Sequence, residues 1–318
     1  MMPGTMFGAR KARLLRRMRR SKTLLALGLT GGFVFTAWLG LNVLYYKSHA
    51  PANWMATSFM ICAMVMLTGR LRLATVAACM AGAMLMAHLA KWPWLPASLL
   101  SVLTLIESML GAWLLRRLSQ TPRLPSLNRA IRLLTTVMLP SLALTTGAAL
   151  VLIHLLFRHQ GFEKYANLIT TQWLAGHGMG MIMMLPTILL LMTPAQTKPP
   201  RKSLAEQLLL TAIFTALALA PFTPLDAAAQ FMVLPIATIF AFRLGPKLTV
   251  ISILVICTVD QVDCFLNPDG LLWGAQVGRN TKILAGQIFL VAVYANAVFT
   301  GLAIDYQARV KRMLTRAW

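Results

Sequence analysis

The chain has 318 residues, 58% of them hydrophobic and only 12% charged, with a formal net charge of +22. That balance excludes an ordinary soluble domain, in which about a quarter of residues are charged, and the mean hydropathy of +0.69 agrees. The positive charge does not mark a nucleic-acid binder, because the basic residues lie between apolar stretches and at the ends, as topology signals and contacts to anionic lipid do.

In chain order, residues 1–22 form a basic segment with eight Lys/Arg. Ten apolar stretches follow, at 24–46, 53–69, 73–90, 95–115, 133–157, 168–192, 204–220, 228–242, 245–259 and 283–304. A run of roughly 20 apolar residues spans the hydrocarbon core as a helix. The runs are continuous rather than alternating, so helices are favoured over barrel strands. The expectation is an all-α integral membrane protein of about ten transmembrane helices in one bundle. Residues 23–305 are its membrane domain, and 306–318 form a basic stub. The first apolar run is longer than a signal-peptide core and reads as a retained span. The eighth and ninth stretches are short, and Pro221, Pro224 and Pro235 punctuate that region. Little chain is left over for a soluble catalytic domain.

Alternate connections fix the orientation. With the N-terminus inside, 24 of the 30 Lys/Arg fall on the cytoplasmic side. That excess places both termini in the cytoplasm and the protein in a bacterial inner membrane. Trp54, Trp92, Trp94 and Trp273 fall at expected outer interfaces, as an aromatic belt does.

Ionisable residues inside spans are costly and mark functional candidates. Glu107 stands in LTLIESMLGAWLLRRL, and His177 in TTQWLAGHGMGMIMMLP. Both lie deep, roughly 18 and 14 Å from the outer end at 1.5 Å per residue. They share one polar pocket if their helices are neighbours; otherwise each simply hydrogen-bonds an adjacent helix. Gln172, Trp173, Gly176 and Gly180 belong to the same span as His177. Its glycines permit close helix approach or a kink beside a ligand. His177, Met181 and Met184 share a helical face, but methionine fills gaps between packed helices more often than it binds copper. No metal site and no cofactor is expected. His88 and His154 read as packing residues. Asn42, Gln287 and Asn296 read as interhelical hydrogen-bonding amides. Asp260, Asp263 and Asp269 crowd the loop after the ninth span and read as a solvated acidic turn. The four cysteines show no CxxC or disulfide framework. No nucleotide-binding or hydrolase motif is present, so an enzyme is disfavoured.

Three local patterns resemble the first-described class of bacterial membrane-associated sensor domains, the MASE type. IESMLGAWLLRRL (106–118) is similar to the family's apolar helix with a Glu, taken here by Glu107, and a basic exit. QWLAGHGMGMIMMLP (172–186) resembles its Gly-polar-Gly-Pro segment, with Gly176, His177, Gly180 and Pro186 in those places. LPIATIFAFRLGPKLTV (234–250) resembles its late span, with Pro235, Arg243 and Gly245 matching. The family has a carboxylate or amide where this chain has His177. The Trp-Pro-x-x-Gly start is reduced to Trp54, Met55 and Ser58.

The resemblance implies a sensory input module that serves GGDEF, EAL or histidine kinase outputs, and it implies a homodimer. The ending RVKRMLTRAW resembles the linker before a GGDEF domain. Asp305, Arg309 and Arg312 are then the signal-output residues, and the partners are the lipid bilayer and a cytoplasmic output domain. Two other functions fit the residues alone: a small-molecule permease, and a structural partner of a membrane complex.

Overall fold

The computed structural model describes residues 4–43, 54–118, 124, 126–156, 162–193, 204–219, 233–266 and 279–317. Among these, all regular structure is helical. The helices are α1 (Gly4–Trp38), α2 (Ala56–Met66), α3 (Gly69–Leu89), α4 (Trp94–Leu118), α5 (Leu127–Leu133), α6 (Leu139–Leu156), α7 (Phe162–Met192), α8 (Leu204–Leu219), α9 (Val233–Leu244), α10 (Pro246–Leu266) and α11 (Arg279–Ala317). A π-helical turn, Leu134–Met138, joins α5 and α6 into one rod. Pro140 in the first turn of α6 brings no N–H to that junction, and the wider turn absorbs the altered register. Counted this way, the described residues form ten helical rods, not all of them long enough to span.

Among the described residues, six rods are long and apolar enough to cross a bilayer: Ser21–Asn42, Gly69–Leu89, Ala97–Leu118, Leu127–Leu152, Trp173–Met192 and Ile288–Thr315. The stretch expected to span at 53–69 holds only the 11-residue α2. It ends at Leu67 in extended backbone, and Gly69 turns the chain with φ +57°. Gly245 does the same between α9 and α10 with φ +77°. Its missing Cβ makes that left-handed conformation accessible, and Pro246 restarts the helix at a position where no N–H is needed. Helix α10 then runs past the expected end of the ninth stretch, so Asp260 and Asp263 lie on a helix rather than a loop. Asp269 and Trp273 lie outside the described residues.

On two helices the pattern of burial is inverted relative to a soluble protein. On α4, Val102, Ile106, Met109 and Trp113 are exposed, while Ser101, Thr104, Glu107 and Ser108 are buried. On α6, Leu144, Val151 and Leu155 face outward, while Ser141, Thr145 and Thr146 are buried. An apolar stripe facing out over a polar interior is stable only where the surrounding solvent is hydrocarbon. The buried hydroxyls bond back to their own helix, for example Ser108 Oγ to the Thr104 carbonyl (2.8 Å) and Thr146 Oγ1 to the Leu142 carbonyl (2.8 Å).

The rods form two groups. Helices α1 to α6 pack among themselves, as do α8 to α11. Helix α7 is the main link, packing on α2 and α6 on one side and on α10 and α11 on the other, while α5 also touches α11.

Candidate functional site

Helices α2, α4, α6 and α7 surround one polar centre. Each packs on two neighbours in the order α2–α4–α6–α7, so α4 and α7 face each other diagonally. Small residues let them close in. A Cβ on Gly111 of α4 would meet Ile61 of α2 at 2.7 Å, and one on Gly178 of α7 would meet Leu142 of α6 at 2.9 Å. At Gly180 a Cβ would overlap the Trp54 carbonyl, so only glycine lets the chain before α2 lie against α7. The Trp54 backbone N–H donates to the Gly176 carbonyl at 2.9 Å, fixing that approach.

Across this diagonal, His177 Nδ1 lies 2.6 Å from Glu107 Oε2. Glu107 is 0% exposed and His177 3%. The short separation is that of a charge-assisted hydrogen bond. Thr57 Oγ1 of α2 donates to Glu107 Oε2 at 3.3 Å, and Thr145 Oγ1 of α6 to Oε1 at 3.4 Å. Thr145 has a single hydroxyl proton, and the Ser141 carbonyl competes for it at 2.9 Å. Glu107 Oε1 is therefore weakly held, whereas Oε2 is well held.

The imidazole is flanked by indoles. Trp173 stacks on it with ring centroids 3.9 Å apart and planes 13° from parallel. Trp54 lies 5.8 Å from it at 23°. Among the described residues, the indole Nε1 atoms of Trp54 and Trp173, the two rings that flank His177, and Ser58 Oγ, next in the chain after Thr57, are buried without a hydrogen-bond partner, which is costly for a donor. The centre can share a proton within the Glu–His pair, and its donors suit a small group that accepts hydrogen bonds.

The structure thus brings Glu107, Trp173, Gly176, His177 and Gly180 together. Gln172 lies on α7, with its side chain outside the described residues. Asp305 is partly buried on α11, far along the chain from this centre, and the side chains of Arg309 and Arg312 are also outside the described residues. Sequence reasoning missed Trp54, Thr57, Ser58 and Thr145. Trp54, expected in the interfacial belt, is 6% exposed and packs on His177. The motif it opens was the available signal. His88 and His154, expected to pack, are instead exposed. Asn42 and Asn296 do bond across helices, to the Met86 carbonyl (3.4 Å) and to Thr238 Oγ1 (2.7 Å). Met181 and Met184 are buried, and no group of three metal-ligating side chains occurs among the described residues.

No curated protein and no solved structure matches the chain. A family model, MASE1, matches residues 24–262, about three quarters of the sequence, and covers every residue of the polar centre. The chain belongs to the MASE1 family of membrane-associated sensory domains, a multi-pass membrane protein.

Proposed function

We propose that this chain is an inner-membrane sensory input module whose sensing element is the Glu107–His177 centre. In this reading both termini lie in the cytoplasm, the side that carries the excess of Lys/Arg. The end of α11, through Asp305, Arg309 and Arg312, delivers the signal to a cytoplasmic output of the cyclic-di-GMP or histidine kinase type. Catalysis belongs to that partner and not to this chain.

The observation that carries the reading is the buried, hydrogen-bonded Glu107–His177 pair at the meeting of four helices. A buried ion pair adds little stability over apolar residues of the same volume. In a lipid-embedded core ionisable side chains are expensive to place and mark a functional candidate. The three unpaired donors and the weakly held Glu107 Oε1 supply the polar groups a stimulus molecule needs. A ligand switches such a module only by binding two packings unequally, and four helices meeting at one pair provide a place where packing and polar contacts change together.

The test fuses a diguanylate cyclase reporter in frame after Trp318 and measures cyclic-di-GMP in cells. Glu107→Gln and His177→Gln shift output severalfold at unchanged membrane abundance if the centre senses. Unchanged output from both variants contradicts the reading. Solute uptake into proteoliposomes that Glu107→Gln abolishes would replace it with a permease.

A further inference from the structure

We infer that a buried hydroxyl pair, Thr187 on α7 and Tyr294 on α11, is the coupling contact that carries a change at the polar centre to the last helix. The inference rests on the sensory reading above and adds the route. Because α7 is the main link between the two helix groups, a change at His177 reaches α11 chiefly along α7. Ten residues separate His177 from Thr187, roughly 15 Å of helix. Pro186 lies between them. It lacks the N–H that would bond the Ile182 carbonyl, which makes this the point where α7 bends most readily.

Immediately past that point, Thr187 Oγ1 and Tyr294 Oη lie 2.8 Å apart, with Thr187 1% and Tyr294 2% exposed. Either hydroxyl can donate across the pair, and Thr187 Oγ1 also lies 2.7 Å from the Met183 carbonyl of its own helix. Thr187 is thereby tied both to the α7 turn that includes Pro186 and to α11. Leu185 and Ile188, close to Thr187 in the chain, and Val293, Ala297 and Val298, close to Tyr294, are all buried. A hydrogen bond in such surroundings has no water to replace it, so the two helices move together or forfeit it.

The experiment uses the full chain in nanodiscs and perturbs the centre by Glu107→Gln, with His177→Asn as a second perturbation should the first fail to insert. Amide hydrogen exchange over residues 306–317 reports the last helix, and in Glu107→Gln the His177 ring nitrogen shift confirms the local change. In the wild-type background the perturbation changes exchange at 306–317 by roughly fivefold or more. In Tyr294→Phe and in Thr187→Ala, which keep the packing nearly intact, that response falls below about twofold, and Thr187→Ser restores it. A merely structural role for the pair would lower stability in Tyr294→Phe and Thr187→Ala but leave the exchange response to Glu107→Gln at its wild-type size. Equal propagation in Tyr294→Phe overturns the coupling and leaves the sensory reading standing. A wild-type background whose 306–317 region is silent to both perturbations overturns the coupling too, and unchanged reporter output alongside it removes the sensory reading as well.

Discussion

Replacing His177 by Leu removes one partner of the buried pair and leaves Glu107 with only Thr57 at 3.3 Å and Thr145 at 3.4 Å. Both contacts are at the long edge of hydrogen bonding, and the Ser141 carbonyl claims the Thr145 proton. Breaking a buried pair from one side costs about 3–5 kcal/mol. Losing the 3.9 Å stack on Trp173 adds about 0.5–1.5 kcal/mol, part of which leucine returns by apolar packing. His177→Leu is therefore expected to lose about 3 kcal/mol or more. The double variant Glu107→Leu/His177→Leu leaves no orphaned charge and is expected to cost about 1 kcal/mol or less. A double-mutant cycle then gives a coupling energy of about 2 kcal/mol or more. Reversible unfolding in bicelles on titration with SDS measures it. Additivity of the two single changes within about 0.5 kcal/mol would refute the pairing of these side chains.

Three further variants probe the surroundings by the same unfolding assay. Ser58→Ala removes a buried hydroxyl with no partner and is expected to stabilise by about 1 kcal/mol; destabilisation would mean the hydroxyl is bonded. Gly180→Ala sets a methyl group against the Trp54 and Met55 backbone, whereas Gly178→Ala meets only the tip of Leu142. The first is expected to cost about 1–3 kcal/mol and clearly more than the second, and equal costs would count against the close approach at Trp54. Lys247 Nζ donates to the Leu191 carbonyl at 3.1 Å and to the Thr193 carbonyl, capping the end of α7. Lys247→Met is expected to lose about 1 kcal/mol, and no loss would show that water satisfies those carbonyls equally well.

Glu107 and His177 were legible in the sequence because an ionisable group inside an apolar run has few structural excuses. Their meeting was legible only as a condition, since spacing along two helices does not say which helices face each other. Trp54 was hidden because a tryptophan near a span end usually anchors at the interface; the glycine at 180, one turn after Gly176, is what draws it inward. Thr57 and Thr145 were hidden because threonine in a membrane helix commonly bonds its own backbone, as Thr145 also does. The shortness of α2 escaped detection because hydropathy runs unbroken through Leu67, while the turn is made by the backbone at Gly69. The helical state of Asp260 and Asp263 escaped it for the converse reason: carboxylates after an apolar run read as a loop, yet α10 carries them on its final turns.

The central claim is that a histidine and a glutamate share a water-free hydrogen bond at the core of this membrane domain. It is tested most directly by nitrogen-15 NMR of histidine-labelled protein in lipid nanodiscs, where five histidines give a resolvable spectrum. The account predicts one ring with a strongly hydrogen-bonded Nδ1 and no exchange with water, lost in His177→Gln and displaced in Glu107→Leu. Five rings that all exchange with water, and a spectrum indifferent to Glu107→Leu, would contradict it.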